Sequence, residues 1–503
     1  MSNASADERR LVATGIPGLD DILGGGVTAD RVYLVEGNPG SGKTTLALQY
    51  LLEGRKLGES GLYVTLSESR RELDDVARSH GWSLDGVALL ELVAPESELE
   101  PENQLILFQP SEVELGETTK AILEEVERSK PKRVVIDSLS EMRLLAQNPL
   151  RYRRQILALK QFFIGRECTV FLLDDLTSET EDLQLQSIAH GVINLEQLSP
   201  EYGAERRRLR IVKLRGQTYR GGFHDFVIRR GGLEVFPRLV AAEHLHGQER
   251  GLLQSGNSKL DDLLGGGLQY GTSVVLLGPA GSGKSTTADQ YARAAARRGE
   301  QAVIFAFDER LETILERTSG LGMSIAQDID MGRIAVQTVD AAELSPGEFA
   351  HRVRAAVEGS NGRPGAKVVV IDSLNGYLHA MPEERFLIAQ LHELLAYLGH
   401  KGVVTFLVVA QHGLLGNMQA SIDTTYLADT VILFRYFEAM GEVRQALSVV
   451  KKRSGNHERT IRELKLDRDG LHLGEPLREF QGVLTGTPSF RGEDGALMGP
   501  TDE

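Results

Sequence analysis

The sequence predicts an α/β protein of two tandem, related halves, each a mostly parallel sheet covered by helices on both faces. Three observations predict it. The chain repeats itself over a long period, short apolar runs alternate with helical patterns inside each half, and each half joins one apolar run to one helix through a glycine-rich turn.

The repeat comes first because it sets the number of domains. Thr14 to Gly26 (TGIPGLDDILGGG) returns as Ser255 to Gly267 (SGNSKLDDLLGGG), identical at eight of thirteen positions and offset by 241 residues. Gly37 to Thr44 then matches Gly278 to Ser285, Arg133 to Leu139 matches Val368 to Leu374, and Lys213 to Arg215 matches Lys451 to Arg453. Four ordered matches at nearly constant spacing describe a duplicated domain rather than a short-period solenoid. The polar stretch Glu243 to Arg250 precedes the second copy, so the halves are read as residues 1–240 and 251–483. Residues 484–503 turn to Gly, Pro, Ser, Thr and acid with little to bury, and are expected to be a mobile tail.

Within the first half, Val32–Glu36, Gly61–Thr65, Arg133–Ile136 and Thr169–Leu173 read as buried strands, because they are short, apolar and rich in β-branched residues. Lys43–Gly54, Arg71–His80 and Thr118–Arg128 carry apolar residues at helical spacing. Strand, helix, strand in sequence implies parallel pairing, and parallel sheets present ligands beyond the carboxyl ends of their strands.

Bulk composition narrows the function. The chain has 503 residues, 41% hydrophobic and 25% charged, with 71 acidic against 56 basic residues and a net charge of -15. Such a surface offers no general attraction to nucleic acid or to an anionic membrane. Met1 to Arg10 is polar, and no apolar stretch reaches the length that spans a bilayer, so a cytoplasmic protein is expected. Cys168, the only cysteine, lies in an apolar run and reads as a small buried hydrophobe.

The chemistry concentrates in two copies of G-x-x-x-x-G-K-[ST]: Gly37-Asn38-Pro39-Gly40-Ser41-Gly42-Lys43-Thr44, followed by Thr45, and Gly278-Pro279-Ala280-Gly281-Ser282-Gly283-Lys284-Ser285, followed by Thr286. The glycines let successive backbone N–H groups curl around a phosphate. Lys43 and Lys284 bring positive charge to the β- and γ-phosphates, and Thr44 and Ser285 offer a hydroxyl to Mg²⁺. Asp137 and Asp372 end apolar strands, where a carboxylate can hold the metal or its waters opposite that hydroxyl. ATP and Mg²⁺ are therefore the expected ligands. Glu68 and Glu309, after the next strand of each half, are candidate general bases, with Asp308 as a helper. A solvated glutamate at a helix start is the alternative reading.

The order of these motifs, with Val64 to Ser69 (VTLSES), His80-Gly-Trp82, Lys213 to Gly216 (KLRG), Leu427 to Leu433 (LADTVIL), Arg435 to Glu438 and Ile461 to Glu463, resembles the KaiC family of RecA-like ATPases over about residues 10–485. The resemblance implies two RecA-like domains, a double-ring homohexamer with ATP between neighbouring subunits, and slow ATP hydrolysis, mainly in the first ring. It also implies serine/threonine autokinase activity in the second ring and regulatory protein partners, with no nucleic acid and no membrane. Carried over by position, Lys213 and Arg215, and likewise Lys451 and Arg453, would reach a neighbour's phosphates.

Departures temper this. Clock-type members place two adjacent glutamates where this chain has Ser67-Glu68 and Asp308-Glu309. Their Ser-Thr acceptor pair falls on Thr425-Tyr426, or on Thr424-Thr425 with a one-residue shift; the alternative reading is that these hydroxyls satisfy turn backbone groups. A regulatory ATPase is implied, a daily oscillator is not. A nucleotide-gated scaffold with little turnover and a DNA-handling ATPase are the competing functions. Gln411 is read as a γ-phosphate sensor or ordinary loop polarity, Trp82 as core or lid packing, and His190 and His412 show no metal spacing.

Overall fold

The computed structural model describes residues 10–92, 111–146, 148–176, 183–200, 203–244, 251–340, 342–359, 362, 364–379, 386–411, 426–485 and 489–490. The chain divides into two compact units, Met1–Arg238 and Leu239–Glu503.

Each unit is built on one nine-stranded sheet. In the first, the order across the sheet is Gly232–Phe236, His224–Arg229, Arg206–Leu214, Gly191–Leu198, Val32–Gly37, Thr169–Asp175, Arg133–Asp137, Gly61–Thr65 and Val87–Glu91. The last six pair in parallel and the first three continue antiparallel from Gly191–Leu198. The second unit repeats the plan with Gly470–Pro476, Ile461–Asp467, Glu442–Lys452, Thr430–Ala439, Ser273–Gly278, Val404–Ala410, Ala366–Asp372, Gln301–Ala306 and Ile334–Thr338. Thus the mostly parallel sheet is present in both units, with an antiparallel edge added.

The central parallel strands are mostly apolar because both of their faces are covered. In the first unit Tyr33, Val35, Tyr63, Val135, Phe171 and Leu173 join one core, which holds the helix Lys43–Lys56. Their neighbours Val32, Leu34, Leu62, Val64, Val134, Ile136, Val170 and Leu172 join the other, beneath Pro149–Phe163. This alternation is the two-residue period of a strand expressed on two buried faces. The second unit divides Val275, Val303 and Val369 from Val274, Ile304 and Val368 in the same way.

The helices begin where the chain supplies caps. Ser69 accepts from the Glu72 backbone while the Glu72 side chain returns to the Ser69 backbone, a capping box that starts the helix Arg70–Ser79. Asn148 and Ser345 cap helices that carry Pro at the first position.

The antiparallel edge has no counterpart among the runs read as strands, because its strands are half exposed. In Arg206–Leu214, buried Leu209 and Ile211 alternate with Arg208 and Arg210, so no continuous apolar run appears. Within residues 484–503, Ser489–Phe490 pairs with Phe480–Gln481, and the Phe480 and Phe490 rings lie 5.0 Å apart. Cys168 is buried, and burial pushes its thiol up to about 12. Among the described residues no helix is long and apolar enough to cross a membrane.

Candidate nucleotide site in each unit

The phosphate turn lies at the carboxyl end of the middle strand of each sheet. Val32–Gly37 runs into Asn38–Gly42 and then into the helix Lys43–Lys56, and Ser273–Gly278 leads in the same way to Lys284–Arg297. Gly40 (φ 80°) and Gly42 (φ 101°) have counterparts in Gly281 (φ 74°) and Gly283 (φ 96°), conformations that residues with a Cβ adopt at a cost. A Cβ on Gly42 would also stand 2.6 Å from Ile228 Cδ1. The first turn is therefore closely backed, and the first N–H groups of a helix, which lack intrahelical partners, suit an anion.

Both lysines fold back over their turns. Lys43 Nζ donates to the Gly37 and Asn38 carbonyls at 2.9 and 3.0 Å, and Lys284 Nζ donates to the Pro279 carbonyl at 2.5 Å. Burial lowers Lys284 to about 8. The Thr44 hydroxyl donates to Asp137 Oδ2 at 3.0 Å, which also accepts from the Tyr63 hydroxyl at 2.5 Å. Ser285 stands at the matching place near Asp372, where its hydroxyl favours the ionised form of that carboxyl. Burial raises both aspartates above the usual carboxylate range, against the pull of these hydroxyls.

Among the described residues no cluster of three His, Cys, Asp or Glu would hold a metal alone. Magnesium does not need one. It takes one or two protein oxygens and completes its shell with phosphate oxygens and water. A hydroxyl 3.0 Å from a buried carboxylate, beside a phosphate cradle, fits that donor set.

The candidate bases occupy matching places with different surroundings. Glu68 follows Gly61–Thr65, and Thr65 Oγ1 both accepts from the Glu68 N–H at 2.9 Å and donates to its carbonyl at 2.7 Å. Its carboxylate is half-buried, with Oε2 buried and without a hydrogen-bond partner. Burial, and then the Asp137, Glu72 and Asp175 charges, raise it to about 7. Glu309 Oε2 instead accepts from Arg317 at 2.6 Å. Asp308 accepts from the Ser373 hydroxyl, beside Asp372.

Acidic groups that sequence reasoning missed line the first site. Asp175 pairs in register with Gly37, and its Oδ1 lies 2.7 Å from Lys43 Nζ. Asp174, bonded to Arg143 at 2.5 Å, is buried and raised by that burial to about 6. Together with Glu36, Gln186 and Asn194 they surround a cavity of about 260 Å³. The available signal was a strand ending in two aspartates, the same kind of signal that identified Asp137. In the second unit Ala410 pairs with Gly278 where Asp175 pairs with Gly37.

The proposed trans cations are not brought to their own phosphate turns. Lys213 pairs with Val192 and Lys451 with Val431, which puts both level with residues three before the glycine that opens the turn, two strands away. Lys213 Nζ donates to the Gln186 carbonyl and Arg215 to the Ser187 carbonyl at 2.9 Å. Arg453 donates to the Tyr426 carbonyl at 2.9 Å and lies 3.4 Å from Asp429.

Tyr426 is 54% exposed; Thr424, Thr425 and His412 lie outside the described residues. The Gln411 N–H donates to the Gly278 carbonyl at 3.0 Å, and its Oε1 is buried beside the turn without a partner. Trp82 packs against the first unit's core, 4.8 Å from His80. Burial lowers His190 below its usual value.

Comparison with known proteins adds a family. The family model described as "ATPase: KaiC" matches residues 12–240 and again 253–478. Similar relatives include "Circadian clock protein KaiC3" of Synechocystis sp. (strain ATCC 27184 / PCC 6803 / Kazusa), 26% identical with 100% of each chain covered. "Circadian clock oscillator protein KaiC" of Thermosynechococcus vestitus (strain NIES-2133 / IAM M-273 / BP-1) is 26% identical over 96% of this chain and 93% of its own. That of Parathermosynechococcus lividus is 26% identical over 95% and 87%.

Proposed function

Because the chain belongs to the KaiC family of RecA-type P-loop ATPases, we propose that it hydrolyses ATP at both phosphate turns, at the interfaces of a homohexamer, as a regulatory ATPase. One observation carries this reading. The same constellation stands twice: a lysine folded over a glycine turn, and beside it a hydroxyl next to a strand-end aspartate.

Each group has a task in the reaction. The turn N–H groups and Lys43 or Lys284 bind the β- and γ-phosphates and take up charge as the terminal phosphoryl group departs. Thr44 with Asp137, and Ser285 with Asp372, would hold Mg²⁺, which screens phosphate charge when bound. Glu68 or Glu309 accepts a proton from the attacking water. A carboxyl raised to about 7 is suited to that step, since a base works best with a pKa near the working pH. Lys213 and Arg215, and Lys451 and Arg453, complete the charge from the neighbouring subunit.

In the second unit the same geometry serves transfer to a hydroxyl. Thr424, Thr425 and Tyr426 are the proposed acceptors, supported by the exposure of Tyr426 and by the Arg453 contact to its carbonyl. Incubation with labelled ATP and peptide mapping should find label within residues 421–430; label elsewhere or none removes the kinase step.

The hydrolytic reading is tested by Glu68→Gln and Glu309→Gln, separately and together. Each single change should lower steady-state turnover, and the double change should lower it by about a hundredfold or more. Turnover that survives the double change rules out both bases.

A further inference from the structure

The candidate base of the second unit is tied down, and that of the first is not. One arm of the Arg317 guanidinium lies 2.6 Å from Glu309 Oε2 and the other 2.6 Å from Asp289 Oδ2. Asp289 is buried within the helix Lys284–Arg297, which the phosphate turn opens, and Arg317 lies on Leu311–Gly320, the helix that follows Glu309. Two charge-assisted hydrogen bonds therefore link Glu309 to the phosphate-turn helix.

The first unit supplies the comparison within one chain. Its corresponding helices, Lys43–Lys56 and Arg70–Ser79, have the same lengths, fourteen and ten residues, and the same offset of 241 residues. Leu48 stands where Asp289 stands, and Val76 where Arg317 stands; Leu48 is buried in the core and Val76 packs against it. No cation reaches Glu68 there among the described contacts, and its Oε2 is buried without a partner. The duplicated domain thus carries an apolar pair in one copy and an ion pair in the other, at positions that decide what the base touches.

We infer that Arg317, anchored by Asp289, is a positioning residue that holds the Glu309 carboxylate back from the attacking oxygen and so restrains turnover in the second unit. In hydrolysis the water O–H bond breaks and its proton passes to Glu309. The water oxygen bonds to the γ-phosphorus, and the bridging P–O bond breaks to leave ADP. A carboxylate oxygen already accepting from Arg317 must weaken that contact to take the proton. The contact occupies the oxygen that would take the proton and fixes the direction of the carboxylate. A buried Asp289 makes the restraint firm, because Arg317 cannot swing to Glu309's free side without leaving Asp289 unpaired.

The inference rests on reading Glu309 as the base, and the experiment separates the two. All measurements use the full chain with Glu68→Gln, so that turnover reports the second unit. Adding Glu309→Gln must abolish the remaining turnover; if it does not, the base reading fails. Adding Asp289→Leu with Arg317→Val, the first unit's own pair, should raise kcat about fivefold or more while KM for ATP stays within about twofold. Asp289→Asn with Arg317→Gln, which keeps size and hydrogen bonding, should show a rise in the same direction. Arg317→Lys, which keeps the charge, should stay near the parent rate. A tether with only a structural role predicts loss of turnover in the two neutral pairs. Equal or lower kcat in either folded neutral pair, with the Glu309→Gln control inactive, overturns the inference.

Discussion

Lys43 and Lys284 hold the same place in two copies of one motif, yet among the described residues only Lys43 forms an ion pair, with Asp175 at 2.7 Å. An incoming triphosphate must displace that carboxylate and then lie beside its charge. At an effective dielectric of ~20 and a separation of ~8 Å, the repulsion is about 2 kcal/mol per unit of charge. Asp175→Asn is therefore expected to tighten ATP binding in the first unit by about thirtyfold. The check is titration with a fluorescent ATP analogue in a chain whose second site is removed by Lys284→Ala; unchanged or weaker binding contradicts it. Glu68 makes a second prediction at this scale. Its carboxyl is raised to about 7, so it is protonated and idle as a base below that pH and ionised above it. With Glu309→Gln present, kcat/KM should climb with pH through about 7 and level off, whereas a profile flat from acid to neutral contradicts the assignment. The same shift has the opposite sign for stability. Between the ordinary carboxyl value of 4.5 and about 7 the folded state binds more protons than the unfolded one, so stability declines as pH rises across that window. Lys43, Thr44 and Asp137 were legible in the sequence because contiguous motifs announce them. Asp175 acts on Lys43, 132 residues away, and Arg317 joins two acids 8 and 28 residues before it; no contiguous motif marks either contact, and only the fold brings them together.

At the scale of elements, the legible part of the sheet was the part that is buried on both faces. Val32–Gly37, Gly61–Thr65, Arg133–Asp137 and Thr169–Asp175 stand within two residues of the runs that hydrophobicity marks out. The helix Arg70–Ser79 begins one residue before its apolar pattern suggests, because Ser69 caps it. Arg206–Leu214 was not legible, since alternation with arginine imitates a solvated loop, and the two antiparallel strands beyond it, His224–Arg229 and Gly232–Phe236, went unread with it. Arg133 shows the same limit in one residue. It opens a buried strand, is only 1% exposed, and donates to Glu59 at 2.6 Å and to the Ala13 and Tyr50 carbonyls at 2.8 Å. Its stem fills the space above Gly54, where a Cβ would meet Arg133 Cδ at 2.5 Å. Arg133 thus joins the strand that ends in Asp137 to the helix that begins with Lys43. Arg133→Ala leaves two carbonyls and a carboxylate without their donor and a void beside Gly54. It is expected to destabilise the first unit by about 3 kcal/mol. Calorimetry should show the first unit's transition move down while the second unit, which has Val368 at the matching place in its motif, keeps its own; no movement means the contacts contribute little.

For the whole molecule, the four proposed trans cations pose a question that one chain cannot answer by itself. Lys213 and Lys451 lie at the same register in their two sheets, toward the amino ends of the parallel strands, while both phosphate turns lie at the carboxyl ends. A cation two strands away from its own turn and three residues short of it is well placed for a neighbour's phosphates only if subunits associate head to tail, and a head-to-tail contact that closes makes a ring. Light scattering after size exclusion should show a sixfold mass with ATP and a smaller one without it. Mass alone does not show that the cations act, but mixing does. In chains carrying Glu309→Gln, one variant adds Lys43→Ala and loses its phosphate turn's charge, and the other adds Lys213→Ala and Arg215→Ala. Each alone should be nearly inactive. Assembled together in equal amounts, about a quarter of the interfaces join an intact turn on one subunit to intact cations on the next, so the mixture should regain roughly a quarter of the parental first-unit turnover. If Lys213 and Arg215 instead serve their own chain, every subunit in the mixture lacks one half of its site and no activity returns.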